Sequence, residues 1–225
     1  CKDKGLSKKI LSFHRIRIPK FLISSRKWPL RVLHGMKYPA FIKPLGLEAS
    51  EGIAQMSFVE NEEDALERIK FIHTSLEQDA IIEEYIEGRE IYIGVMGNGG
   101  RPQVLPPREL FFEEVPEGEP KFATFKAKWD EEYRKRWGIK NKNAAALDPV
   151  VLRRANEMCK KIYRIFEMKG YARIDLRIKP DGEVVFIEAN PNPSIERDGD
   201  FARSAEKLGL SYDRLMEKVI ALADQ

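Results

Sequence analysis

Cysteine is scarce in this chain: its 225 residues include two, Cys1 and Cys159, far apart in sequence. That excludes a disulfide framework and favours a reducing, cytoplasmic setting. Long apolar runs are missing as well. No stretch approaches the roughly 18 residues a membrane helix needs, and no apolar signal core follows the N-terminus. The triplet Asn192-Pro193-Ser194 has proline at its centre and cannot accept a glycan. Repeats and low-complexity tracts are absent. What is present is ordinary: 43% hydrophobic and 33% charged residues exclude collagen, coiled coil and long disorder. A chain of this length buries about 70% of its unfolded surface without staples.

Acid is nearly absent from the first forty residues, which carry eleven Lys or Arg against Asp3 alone, a net of +10. The remainder carries −7, so the overall +3 conceals an asymmetry. Such a segment can meet nucleic acid or an anionic surface, but its cations lack the interleaved aromatics that single-strand binders use. The plainer reading is a solvated face, or a surface that packs against something further.

Ser7 to Phe13 can form a short basic helix ending before Pro19, and residues 20–37 read as irregular around Pro29 and Gly35. Tyr38 to Ile42 reads as a strand giving way, at Lys43-Pro44, to a loop with Gly46, Ser50 and Gly52. Asn61 caps a helix over 62–76 with Ala65, Leu66, Ile69 and Ile72 on one side. Strands follow over 80–86 and 90–96, parted by Gly88. Residues 113–147 read as a long polar loop over a site. Asp148-Pro149 starts a helix running to Gly170, and helices near 201–208 and 212–223 close the chain.

The most informative stretch lies between. Tyr171 to Ile178 alternates, with Ala172, Ile174, Leu176 and Ile178 on one face and Tyr171, Arg173, Asp175 and Arg177 on the other. Pro180-Asp181-Gly182 turns the chain, and Glu183 to Asn190 returns with Val184, Phe186, Glu188 and Asn190 sharing a face. A loop at 179–182 pairs Ile178 with Glu183, which sets Arg173 opposite Glu188, Asp175 diagonal to it and Asn190 two residues on. Two carboxylates and an amide oxygen on rigid strands are the hard donors Mg²⁺ prefers, and an arginine among them suits a phosphate or a developing oxyanion. A solvent-facing ion pair is the bland alternative. The exit into Asn190-Pro191-Asn192-Pro193 favours the site, because it puts the polar residues at a rim.

Asp3-Lys4, Ile42-Lys43-Pro44, the loop from Gly46 to Gly52, Ile82-Glu83-Glu84-Tyr85-Ile86 with Gly88-Arg89-Glu90, Phe125-Lys126-Ala127-Lys128-Trp129 and the hairpin, in that order, resemble the ATP-grasp superfamily. The likeness is to its D-alanine–D-alanine ligase-like branch and runs from Asp3 to Ala223, with no Walker loop. It implies an α+β ATP-grasp fold in which two α+β lobes grip a nucleotide between antiparallel sheets. Residues 1–91 would be the small central lobe with the phosphate lysines and lid loop, and 92–225 the C-terminal lobe with the magnesium-binding hairpin. By this resemblance Lys4 and Lys43 reach ATP phosphates, and the loop with Ser50 and Gly52 covers them. Glu83 accepts from the adenine amino group, Ile86, next to Tyr85, offers backbone groups to the ring edge, and Glu90 bonds the ribose. Lys128 corresponds to the γ-phosphate lysine, with Lys126 as its rival. Arg173 corresponds to the catalytic arginine, and Asp175, Glu188 and Asn190 to the ligands of two Mg²⁺ ions.

The activity implied is that of an ATP-dependent, ADP-forming carboxylate–amine ligase working through an acyl phosphate on an amino acid or peptide; a homodimer is compatible with the family. The alternative is a nucleotide-binding ATP-grasp module without ligase activity of its own. Two departures qualify the likeness. After Asn190 the D-alanine–D-alanine ligases show Ser-Pro-Gly and a downstream serine that hold the second substrate's carboxylate. Here the chain reads Asn192-Pro193-Ser194-Ile195-Glu196-Arg197-Asp198-Gly199, which implies a different acceptor, with Asn192, Ser194 and Arg197 as candidate contacts. Those ligases also carry a preceding domain, so a missing N-terminal domain or a partner chain is expected.

Overall fold

The computed structural model describes residues 3–47, 52–99, 102–116, 121–122, 124, 126–127 and 130–223. Helix α1 (Lys4–Phe13) starts at Asp3, whose side chain accepts from the Leu6 amide at 2.8 Å, a side-chain N-cap. Strands β1 (Phe21–Ser24), β2 (Ala40–Pro44) and β3 (Phe58–Val59) precede helix α2 (Glu62–Ser75). Asn61 caps α2 as its sequence predicts, accepting from the Asp64 amide at 2.9 Å. Strand β4 (Ala80–Glu84) follows and completes an antiparallel sheet in the order β1-β4-β2-β3. Its core joins Ala65, Ile69 and Ile72 of α2 to Leu33, Ile42, Val59 and Ile82.

The second sheet contains β5 (Arg89–Met96), β6 (Gln103–Val104), β7 (Arg108–Phe112), β8 (Ile139–Asn143), β9 (Tyr171–Ile178) and β10 (Val184–Asn190). Its order is β10-β9-β5-β7-β8, with β6 beside β5, and every pairing is antiparallel. Helices α3 (Glu131–Arg136), α4 (Pro149–Ile165), α5 (Asp200–Lys207) and α6 (Tyr212–Ala223) accompany it. Helix α4 presses Ala155, Cys159, Ile162 and Tyr163 onto Ile91, Ile93, Ile174, Leu176 and Phe186, and Leu11 of α1 and Ile16 join that same core. Phe201, Ala202, Ala205 and Leu215 of α5 and α6 form another cluster with Met96 and Leu105.

Two stretches expected to be irregular are ordered. Residues 20–37 contain β1, which pairs with β4 along Phe21–Ser24, and 113–147 contain α3 and β8, the latter laddered onto β7. The segment after α1 straps the sheets together: the Phe186 amide donates to Arg17 O, and the Glu84 amide to Lys20 O, both at 2.9 Å.

The hairpin register differs from the expected one. Val184 pairs with Ile178 and Phe186 with Leu176, and then the register shifts between Phe186 and Glu188. Beyond the shift Glu188 stands opposite Asp175, and Asn190 opposite Arg173. The extra residue is Ile187. A bulge of one residue reverses which face the following side chains take. It leaves Val184 and Phe186 on the core face and turns Glu188 and Asn190 onto the face of Asp175 and Arg173.

Candidate active site

Between the sheets lies a crevice whose walls include Lys43 and Glu83 on the small-sheet side, Tyr85 and Ile86 in the link, and Glu90, Asp175 and Glu188 on the large-sheet side. Seven of the residues singled out in sequence therefore meet in one cavity. The link between β4 and β5 passes through it, and at Gly88 (φ +146°) a Cβ would lie 2.3 Å from the Ile178 carbonyl oxygen. The chain takes that close path because glycine has no side chain.

The small-sheet wall is ionic and dry. Lys43 Nζ lies 3.0 Å from Glu83 Oε2, with Lys43 4% and Glu83 3% exposed. Burial alone would push the Glu83 carboxyl up, but Lys43 and Lys8 outweigh it and hold the group below its ordinary range. Burial likewise opposes the charge on Lys43, and Glu83 and Glu188 together raise its pKa despite it. Glu83 Oε1, also buried, faces Lys8 Nζ at 3.3 Å. Lys4 reaches in from the first turn of α1, its Nζ 3.6 Å from Glu188 Oε1 and donating to Leu47 O.

On the large-sheet wall Arg173 lays its guanidinium across Asp175, Nε to Oδ1 at 2.7 Å and Nη2 to Oδ2 at 2.9 Å. Burial disfavours the Arg173 charge, yet Asp175 more than compensates and raises its pKa. The same guanidinium lies over the Tyr92 ring, 4.7 Å from its centroid. Glu90 is oriented at both oxygens: Tyr92 OH donates to Oε1 and Arg177 Nη2 to Oε2, each at 2.7 Å. Arg177 also donates to the carbonyls of Gly88 and Lys121 at 2.8 Å, which anchors the link between the sheets.

The donors Asp175, Glu188 and Asn190 suit a hard cation. They are oxygen donors only, the two carboxylates are directly opposed across the ladder, and Asn190 Oδ1, which accepts from the Asn192 amide at 2.9 Å, keeps a second lone pair. Among the described residues no group of three His, Cys, Asp or Glu is placed to hold a metal ion.

Other expected residues fall elsewhere. Asn192 is exposed and accepts from Tyr171 OH at 2.9 Å. Ser194 is exposed, its Oγ accepting from the Glu196 amide at 3.3 Å. Arg197 is exposed too, lying over Tyr212 at 4.3 Å and 3.5 Å from Asp213. None of the three lines the crevice. Gly52 (φ +73°) accepts from Arg68 Nη2 at 2.5 Å. Lys126 is exposed, while Ser50 and Lys128 lie outside the described residues.

Sequence reading passed over Lys8, Tyr92 and the part played by Arg177. Arg177 was legible as a polar-face residue of β9, but Tyr92 sits in an apolar run and Lys8 in a basic helix, where neither stands out.

The family model described as "D-ala D-ala ligase C-terminus" matches residues 2–221. The chain is 27% identical to the D-alanine–D-alanine ligase of Halothermothrix orenii over 98% of its own length and 62% of that protein's. Among solved structures it resembles the ATP complex of D-alanine–D-alanine ligase from Bacillus anthracis at 22% identity and TM-score 0.76, spanning 99% of this chain and 65% of that one. It also resembles the VanG D-Ala:D-Ser ligase of Enterococcus faecalis at 24% identity and TM-score 0.77, spanning 99% and 61%. The chain thus covers less than two thirds of these relatives. Its architecture is the α+β fold of the D-alanine–D-alanine ligase structures, and the chain belongs to the family of D-alanine–D-alanine ligase C-terminal domains.

Proposed function

We propose that this chain is the nucleotide-binding part of an ATP-dependent, ADP-forming carboxylate–amine ligase. The observation that carries the proposal is the Glu83 carboxylate. Two buried lysines, one against each oxygen, keep it ionised in the wall of a crevice that Tyr85, Ile86 and Glu90 also line. A carboxylate oxygen can accept more than one hydrogen bond, so this ionised acceptor can also take a ligand amino group such as that of adenine.

In this reading residues 1–91 hold the base and phosphates, and 92–225 hold the reacting end. Glu83 accepts from the adenine amino group, the Tyr85–Ile86 backbone meets the ring edge, and Glu90 takes the ribose. Lys4, Lys43 and Lys128 bind phosphate oxygens, and the loop containing Ser50 and Gly52 covers them. Asp175, Glu188 and Asn190 would hold Mg²⁺, two ions by family analogy, which neutralises phosphate charge when bound. A carboxylate oxygen of the substrate attacks the γ-phosphorus, the bond to ADP breaks, and an acyl phosphate results. The acceptor nitrogen then attacks the acyl carbon, loses a proton, and inorganic phosphate leaves. Arg173 stabilises the oxyanion of that second step. The 191–199 loop, with Asn192, Ser194 and Arg197, is assigned to the acceptor, an amino acid or peptide. The portion of the relatives that this chain does not span would supply the rest of the substrate pocket. The buried free thiol of Cys159 supports a cytoplasmic protein.

The test is calorimetric titration of ATP into this chain, with and without Mg²⁺, beside Glu188→Gln and Asp175→Ala. Magnesium-dependent binding that weakens in both variants is expected. Equal binding in all three sinks the metal assignment. Binding without ADP release for any carboxylate, in a protein that includes the portion of the relatives this chain does not span, would mean a nucleotide-binding module without chemistry.

A further inference from the structure

Lys8 has no part in the reaction as described, yet at 1% exposure it is the most buried charged side chain among the described residues. Its surroundings explain why a lysine is kept there. Nζ donates to Ile187 O at 2.7 Å and lies 3.3 Å from Glu83 Oε1, while the ammonium sits 5.2 Å from the Phe186 ring centroid. Ile187 is the residue that the β9–β10 register skips. A bulge strands ladder groups on its strand, and a stranded carbonyl shielded from water needs a donor from elsewhere. Lys8 supplies that donor. The residue following the bulge is Glu188, and Lys4, one helical turn before Lys8, faces its carboxylate.

We infer that Lys8 is a positioning residue for the site proposed above: by holding the Ile187 carbonyl it fixes the bulge that turns Glu188 into the crevice, and through Glu83 it ties that bulge to the opposite wall. A purely structural ion pair would not need the bond to Ile187 O. Neutralising Lys8 also leaves no bare charge, because Glu83 retains Lys43 at 3.0 Å. The folded variant can therefore be compared with the wild type.

The experiment is amide hydrogen exchange over residues 184–190 in Lys8→Met, with α6 as the distant control. Loss of one charge-assisted bond predicts exchange in that segment faster by about tenfold, with α6 unchanged. Lys8→Gln, one bond shorter but still a donor, should give a smaller rise, and it serves alone should Lys8→Met fail to fold. Unchanged exchange at 184–190, or acceleration that is equal in α6, overturns the inference. This readout needs no nucleotide, so it judges Lys8 even if the wild type binds no ATP, an outcome that would overturn the proposed function instead. Where ATP binds, Lys8→Met should weaken Mg·ATP by about tenfold in the wild type but less than about twofold in a Glu188→Gln background. Equal losses in both backgrounds would mean that Lys8 does not act through Glu188.

Discussion

Gly88→Ala is the sharpest test of how the two walls are joined. Gly88 has φ +146°, and a Cβ there would sit 2.3 Å from Ile178 O, 2.8 Å from Ile178 C and 3.0 Å from Lys179 Cα, all backbone atoms. None of these is the flexible end of a side chain, so the β4–β5 link or β9 has to move. A glycine-only backbone conformation forced on alanine costs about 1–3 kcal/mol, and the overpacking about 1–3 kcal/mol more. At roughly 2–4 °C per kcal/mol for a chain of this size, the melting temperature should fall by about 4–24 °C. Gly99→Ala isolates the dihedral contribution, because Gly99 also has a positive φ, +70°, but nothing lies within 4 Å of its added Cβ. That variant should lose only about 1–2 kcal/mol. Thermal unfolding of both, followed by circular dichroism, gives the answer. Because Gly88 separates Ile86 from Glu90, its variant should also bind Mg·ATP more weakly than the Gly99 control. If the two variants melt within about 1 °C of each other and bind ATP alike, the close approach at Gly88 does not constrain the crevice.

Two further outcomes follow from ionisation. The Glu83 carboxyl is held below its ordinary value of 4.5, so its stabilising contribution is complete above about pH 4.5 and drains away as pH falls through the folded-state value. Melting curves of the wild type from pH 7 to 3 should therefore fall more steeply in acid than those of Glu83→Gln; parallel curves would contradict the ion-pair assignment. Burial, helped by the charge of Asp175, raises the Cys159 thiol above its ordinary range, which suppresses the reactive thiolate. Peptide mapping should find Cys159 unalkylated by iodoacetamide in native protein at pH 8 and alkylated in denaturant, and native labelling would show that the α4 core opens.

The fold was most legible where local signals agreed. Residues 171–178 form β9 as their alternation requires, and Asn61 and Asp148 cap α2 and α4. Strand β1 escaped notice because Phe-Leu-Ile-Ser is short and does not alternate, and its order comes from β4, some sixty residues on. Strand β8, Ile-Lys-Asn-Lys-Asn, has low strand propensity; β7 imposes its conformation, and Glu113 holds both of its lysines. The hairpin carried a readable warning: two apolar and then two polar residues at the same parity, Val184, Phe186, Glu188 and Asn190, cannot all serve one face. A bulge resolves that conflict, although the sequence does not say which residue is skipped. Lys8 could not be found at all, since its role depends on a carbonyl 179 residues away.

That separation bears on how the molecule assembles. Leu11, Lys8 and Arg17 lie at the start of the chain, but their partners are Ile174, Phe186, Ile187 and Glu183, at its far end. The chain begins in one core, leaves to build the other sheet over residues 21–84, and only then returns. Loop-closure entropy delays contacts of that span. During synthesis α1 therefore emerges before either sheet and docks after β10, and its amphipathic surface stays bare until β10 is complete. The large-sheet core is thus closed by a helix made before either sheet.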